Sequence, residues 1–218
     1  MLFAGLTLPT LISRIFVLLT AFAVHEFAHA WVADRFGDTT PRSMGRLTLN
    51  PLAHLDPIGS LMLVAVGFGW AKPVPINPYA LSRRSPAATM WVSLAGPGSN
   101  LIMALIAAIP FQLGLVSISG ATINPGSVLP SLSFFLFEFV YINLLLMLFN
   151  LIPIAPLDGE KVLYYLAPPS VARVMDTIRP YGPFLLLILV FAGSFMGFNI
   201  LWTILGPPLQ ALLGLLVG

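Results

Sequence analysis

The sequence predicts an all-α integral membrane protein, with about four transmembrane helices and a short extended or β segment that dips into the membrane. Of its 218 residues, 58% are hydrophobic and only 8% are charged. A soluble domain carries about a quarter charged residues, so lipid must cover much of this surface. The chain has no cysteine, which excludes a disulfide framework and a thiolate metal site. Nothing in this composition points to a nucleic-acid partner.

The predicted spans follow one another along a single domain that covers residues 1–218. A bilayer-crossing helix needs about 20 predominantly apolar residues, and the segments that qualify are 11–33, 88–113, 132–152 and 181–205. No basic region precedes the first segment, so we interpret it as a retained span and not as a signal peptide. The apolar tail at 207–218 is too short to cross the membrane again.

Residues 58–71 form a further apolar stretch that is too short to span. It contains Gly59, Gly67 and Gly69, and glycine disfavours helix. We therefore predict an extended segment at membrane depth. Such a backbone is tolerated there only when it is buried in protein or lines a wet cavity.

The basic residues predict the orientation of the spans. Nine of the ten lie between the first and second spans or between the third and fourth. Cytoplasmic connections carry the excess of Lys and Arg, so these two connections should face the cytoplasm. Both termini should then lie outside.

The first span contains the sequence His25-Glu26-Phe27-Ala28-His29. Residues i and i+4 share one face of a helix, so both imidazoles can reach one metal ion, and Glu26 lies next to them as a candidate base. Ionisable groups inside a membrane span are expensive and usually functional. The alternative interpretation is a polar patch that bonds to neighbouring helices, or a proton relay.

A hydrolytic zinc site keeps three protein ligands and an open position, so a third ligand is needed. The residues alone leave three candidates: Asp158, His54 and Asp56. Asp158 follows two prolines that end the third span, and Gly159 beside it allows a close backbone approach. Asp158 can also be interpreted as an ordinary helix N-cap.

Several motifs, in this order and spacing, resemble the site-2 protease family of intramembrane zinc metalloproteases, particularly its small prokaryotic members without PDZ or CBS domains. The matching stretches are His25–His29, Gly45–Pro51, His54–Gly59, Gly69–Asn77, Ala95–Asn100 and Asn150–Gly159. The resemblance implies one zinc ion per chain, with His25, His29 and Asp158 as its ligands and Glu26 as the catalytic base. Glu160 is a departure, because many members have a second glycine there.

The same resemblance implies a substrate that is itself a transmembrane helix, cleaved in or near the bilayer of a prokaryotic plasma membrane. The distribution of basic residues predicts an active site on the cytoplasmic side. Asn150 matches an asparagine that holds substrate in this family. Asn77 and Asn100 are candidates to bind the unwound substrate backbone. For His54 we favour a structural or substrate-gating role over metal ligation.

Two other functions compete with this interpretation. An ion- or proton-coupled transporter would use the histidines and Glu26 for passage, and it would show internal repeats with paired broken helices. The first-span motif is not repeated downstream. A catalytically inactive metal-binding scaffold would lack the base, yet Glu26 is present.

Overall fold

Helices account for nearly all regular structure in this chain, which confirms the predicted all-α class. The computed structural model describes residues 7–66, 69–122, 127–196 and 200–218. Within these ranges its only β pairing is an isolated antiparallel bridge between Leu55 and Ala71. In chain order the α-helices are α1 (Leu8–Arg35), α2 (Thr40–Ser43), α3 (Pro57–Val66), α4 (Pro78–Arg84), α5 (Ala88–Gln112), α6 (Leu132–Asn150), α7 (Asp158–Leu166), α8 (Pro169–Ile178), α9 (Gly182–Met196) and α10 (Ile200–Val217).

The first three predicted spans are confirmed as helices α1, α5 and α6, each bounded within three residues of the prediction. Pro9 lies in the first turn of α1. Backbone N–H groups in a first turn have no partner within the helix, so proline, which lacks this group, is tolerated there. The Ser131 hydroxyl caps α6 by accepting a hydrogen bond from the backbone N–H of Phe134 at 3.2 Å. Gly37, at φ 86°, takes the left-handed conformation that lets the chain turn away after α1.

The C-terminal part differs from the prediction. The predicted span at 181–205 corresponds to α9 and the start of α10, and residues 197–199 lie outside the described residues. The tail continues as helix α10 through Pro207 and Pro208, because a helix in a membrane protein tolerates proline when its neighbours satisfy the freed carbonyls. By length and composition, five helical stretches among the described residues can cross a membrane, and these include Pro169–Phe191 and Ile200–Val217.

Both ends of the described chain lie at the same end of the bundle. The Gln112 side-chain amide, at the end of α5, donates to the carbonyls of Leu215 and Leu216 at 3.1 and 2.7 Å. Near the other terminus, Arg14 pairs with Glu138 in the first half of α6 at 2.7 Å. The prediction that both termini lie outside the cell is compatible with this arrangement and stays a prediction.

Helix α5 lies at the centre of the bundle, where it contacts α1, α4, α6, α7 and α10. Its side toward α6 and α10 carries Ala104, Ala107 and Ala108, small residues that let helices approach closely. Its outer side carries Ile102 and Ile106, which are 58% and 61% exposed. An apolar outer surface on long apolar helices makes this chain a multi-pass membrane protein.

The predicted extended segment at 58–71 is wrong for most of its length, because Pro57–Val66 forms helix α3. Pro57 at its start and the Asp56 carboxylate, which accepts from the Gly59 backbone N–H at 2.8 Å, favour this helix despite the glycine. Residues 67 and 68 lie outside the described residues. The chain then runs without helix from 69 to 77, beside the connection after α1.

Candidate metal centre

His25 and His29 lie one turn apart on the buried face of α1, as their spacing predicts. Their Nε2 atoms are 3.0 Å apart, and the ring planes meet at 83°. Both residues are less than 9% exposed. Two ring nitrogens this close, in an apolar bundle, point toward one shared position.

Asp158 completes a group of three donors, since its Oδ2 atom lies 3.2 Å from Nε2 of both His25 and His29. It is the first residue of α7, and Leu157 occupies the N-cap position. The N-cap interpretation of Asp158 is therefore wrong. Burial raises the pKa of the Asp158 carboxyl, but the two imidazoles outweigh burial and hold the pKa below its usual range.

Gly159 explains how α7 reaches the two imidazoles. A Cβ atom at this position would collide with the backbone carbonyl of Leu151 and lie 2.7 Å from that of Ile152. Only glycine lets the connection after α6 fold back so tightly. The close approach predicted for Gly159 is present.

The other two candidates for third ligand are occupied elsewhere. His54 is 1% exposed, and its Nε2 atom hydrogen-bonds the carbonyl of Thr48 at 2.8 Å. Asp56 caps α3. Among the described residues, the group that could hold a metal is His25, His29 and Asp158.

The donor set fits a zinc ion. The distances among its donor atoms are 3.0, 3.2 and 3.2 Å. Tetrahedral zinc with bonds of about 2.0–2.1 Å places neighbouring ligand atoms about 3.3 Å apart. Gly96 of α5 faces the same point, and a Cβ there would collide with Nε2 of both histidines.

The outer nitrogens of both imidazoles bind α5. Nδ1 of His29 lies 2.7 Å from the carbonyl oxygen of Val92, and Nδ1 of His25 lies 2.6 Å from Oδ1 of Asn100. Asn100 is fully buried. Contacts of this kind orient metal-binding imidazoles and leave the opposite nitrogen free for the ion.

Glu26 lies beside the donors without joining them, and it is 9% exposed. Its Oε2 atom accepts a hydrogen bond from the backbone N–H of Val74 at 3.1 Å. This contact brings the segment 69–77 over the site. One carboxylate oxygen is thus held by the protein backbone.

Arg46 anchors that segment. Its guanidinium donates to the carbonyl of Pro73 at 3.1 Å, to that of Lys72 at 3.3 Å and to that of Ala53. Arg46 is only 5% exposed. The carbonyl of His54 also accepts from the backbone N–H of Lys72 at 2.7 Å, so the connection after α1 supports the segment that holds Glu26.

The other predicted site residues, Asn77, Asn150 and Asn100, each have hydrogen-bond partners within the protein. The Asn77 side chain caps α4, and its backbone N–H donates to the Asp38 carboxylate at 2.6 Å. Asn150 is partly exposed at the end of α6, where its amide donates to the Leu146 carbonyl at 2.9 Å. Asn100 is enclosed against His25. Substrate binding by these asparagines and by His54 stays a prediction.

Sequence reasoning missed Val74, Arg46 and Asn143 as parts of the site. Asn143 on α6 is fully buried, and its Oδ1 accepts from the Asn100 amide at 2.9 Å. A polar amide in the middle of an apolar span was a usable signal. Val74 acts through its backbone, which no side-chain pattern reveals.

The chain is similar to several curated bacterial proteins. It is 39% identical to "Putative zinc metalloprotease YwhC" of Bacillus subtilis, over 92% of this chain and 89% of that protein. It is 29% identical to "Putative zinc metalloprotease Rip2" of Mycolicibacterium smegmatis, over 81% of this chain and 65% of that protein.

An archaeal protein of the same kind also matches. The chain is 31% identical to a "Putative zinc metalloprotease" of Methanocaldococcus jannaschii, over 66% of this chain and 65% of that protein. No family model matches the chain, and no solved structure matches it.

Proposed function

The chain belongs to the site-2 protease family of zinc metalloproteases, and from this premise we propose that it is a zinc endopeptidase acting within the membrane. Its substrate is a membrane protein, cleaved at a peptide bond in or near a transmembrane helix. The observation that supports this proposal most is the convergence of His25, His29 and Asp158 on one point, beside Glu26, inside an apolar bundle.

The roles of the residues follow from their geometry. His25, His29 and Asp158 would hold the ion, which would supply Lewis-acid chemistry by polarising a carbonyl and activating water. Glu26 accepts a proton from the attacking water and passes it to the leaving amine. Because Val74 holds one oxygen of the Glu26 carboxylate, the other oxygen is the one that takes the proton.

The substrate must present an extended backbone, because a helix hides its peptide bonds in its own hydrogen bonds. Residues 69–77 run without helix over Glu26, and we infer that the unwound substrate segment binds beside them. Asn150 is the last residue of α6, and Leu151 after it lies against Gly159, the neighbour of Asp158; in this proposal Asn150 supplies a side-chain amide to the substrate. The site opens toward the cytoplasm in this proposal, since the basic connections adjoin it.

Metal content tests the site before any substrate is known. We expect about one zinc per chain in detergent-purified wild type, by analogy with catalytic sites of this ligand type. Asp158→Ala and the double variant His25→Ala/His29→Ala should both lose it, while Glu26→Gln should keep it. Wild-type protein that takes up no zinc, even after reloading, would exclude the metalloprotease and favour the transporter.

Cleavage is tested in membranes that contain either wild type or Glu26→Gln. New N-termini that lie within or next to transmembrane segments should appear with wild type and be missing with the variant. Identical sets of N-termini from both samples, with zinc bound in each, would contradict proteolysis and favour the inactive scaffold.

A further inference from the structure

We propose that Asn100 and Asn143 are positioning residues for the metal centre: together they fix the ring proton of His25 on Nδ1 and so keep Nε2 free for the ion. This inference rests on the proposed function and adds to it. It concerns a line of hydrogen bonds that crosses three helices, from α6 through α5 to α1.

The direction of this line is set by a single main-chain carbonyl. The Asn143 side chain lies 2.9 Å from the carbonyl oxygen of Phe139, and a carbonyl can only accept. Asn143 must therefore present its NH₂ group to Phe139 and its oxygen to Asn100. Asn100 in turn presents its NH₂ group to that oxygen, at 2.9 Å.

The consequence for His25 follows at once. Since the Asn100 NH₂ group is turned to Asn143, its oxygen faces His25, 2.6 Å from Nδ1. An amide oxygen only accepts, so Nδ1 of His25 carries the proton. Nε2 then keeps its lone pair, and this nitrogen lies beside Asp158 and His29.

The surroundings of Asn100 oppose the opposite orientation of its side-chain amide, in which the oxygen and the NH₂ group exchange places. Both asparagines are 0% exposed. A reversed Asn100 would set its amide oxygen against the amide oxygen of Asn143, with no proton between the two oxygens. Buried polar groups without a hydrogen-bond partner are costly, so the side-chain amide of Asn100 keeps one orientation.

The other two histidines provide an internal comparison. Nδ1 of His29 faces the Val92 carbonyl, so His29 also carries its proton on Nδ1. For His54 the facing carbonyl, that of Thr48, lies at Nε2. The three histidines of the chain should therefore divide into two with a proton on Nδ1 and one with a proton on Nε2.

NMR of zinc-loaded protein with isotope-labelled histidine tests this division directly. We expect protected Nδ1 protons on His25 and His29, and an Nε2 proton on His54. In Asn143→Leu the Nδ1 proton of His25 should shift and exchange faster with water, while that of His29 stays unchanged. A His25 ring that binds the metal through Nδ1 in wild type, or is unaffected in the variant, overturns the proposal.

Zinc affinity, measured by competition with a chromophoric chelator, gives a second readout. Asn100→Leu should weaken binding about 10–100-fold, as loss of such supporting contacts typically does, and Asn143→Leu should weaken it less. The matched control is Gln112→Leu, which removes another amide between helices on α5, about 18 Å along the axis from Asn100. It should leave zinc affinity unchanged.

The outcomes separate this inference from the function on which it rests. Wild type that binds zinc, with affinity equal in both asparagine variants, overturns the positioning role alone. An equal loss in Gln112→Leu also overturns it, because general loosening of the bundle then explains the effect. Wild type that binds no zinc overturns the proposed function as well.

Discussion

At the scale of single residues, Gly96 shows how much of the site depends on a missing side chain. Its position on α5 faces the point where His25 and His29 meet, and a Cβ there would collide with Nε2 of both. At Gly98, two residues along the same helix, a Cβ would meet nothing within 4 Å. These two glycines form a natural pair for comparison.

We expect Gly96→Ala to abolish stoichiometric zinc binding, because the added methyl group occupies the space of the ion. Gly98→Ala should bind zinc normally, and the better helix propensity of alanine should leave its thermal stability equal or slightly higher. Elemental analysis and thermal unfolding of both variants check this. Full zinc occupancy in Gly96→Ala would place the ion elsewhere.

The sequence alone could reveal those site residues that lie close together on one helix or in one turn. His25 and His29 follow the helical period, and the close approach at Gly159 was readable beside two prolines. Asn143 and Val74 could not be assigned in the same way. Their contacts depend on how α6 and the segment 69–77 pack against distant residues, which no local pattern encodes.

At the scale of elements, the segment 69–77 is held in place mainly through Arg46. We expect Arg46→Met to free the carbonyls of Lys72 and Pro73 and so to release Val74 from Glu26. Cleavage should fall at least tenfold, whereas zinc content should stay near one per chain, because no metal ligand changes.

Arg42→Met is the matched control for Arg46→Met. Arg42 pairs with Asp34 at 2.7 Å, and its side chain is 64% exposed, so the loss of this pair should change stability little. Cleavage by this variant should match wild type. Equal activity of both arginine variants would show that the segment does not depend on Arg46.

The elements themselves were predictable to different degrees. Long apolar runs with clear polar ends located α1, α5 and α6. The glycines in 58–71 misled the prediction, because local propensity argued against a helix that the surroundings of a membrane protein allowed. The tail at 207–218 was judged by its length alone, and the helix there begins earlier, at Ile200.

At the scale of the whole molecule, the ion pair of Arg14 and Glu138 joins α1 to α6. We expect Glu138→Leu to lower the free energy of unfolding, since Arg14, whose side chain is 20% exposed, loses the carboxylate with which it pairs at 2.7 Å. The double variant Arg14→Leu/Glu138→Leu should recover much of that loss. Thermal unfolding in detergent measures both, and equal stability of the three proteins would contradict the prediction.

The predicted orientation also belongs to this scale, and the lack of cysteine makes it testable. Single cysteines at Ser127→Cys and Gly218→Cys should react with a membrane-impermeant thiol reagent added outside intact cells. Ser82→Cys, on α4, should react only after the membrane is opened, because the predicted orientation places the basic connections in the cytoplasm. The reverse labelling pattern would invert the topology.

The hydrogen bond from Val74 to Glu26 has a consequence for inhibitor design. A compound that acts only by chelation resembles a ligand for any zinc enzyme and is poorly selective. A compound with its own acceptor for the Val74 N–H would compete with the Glu26 carboxylate. It would inhibit the enzyme without removing its metal. Selectivity would then come from the shape of one backbone segment and not from the metal ligands.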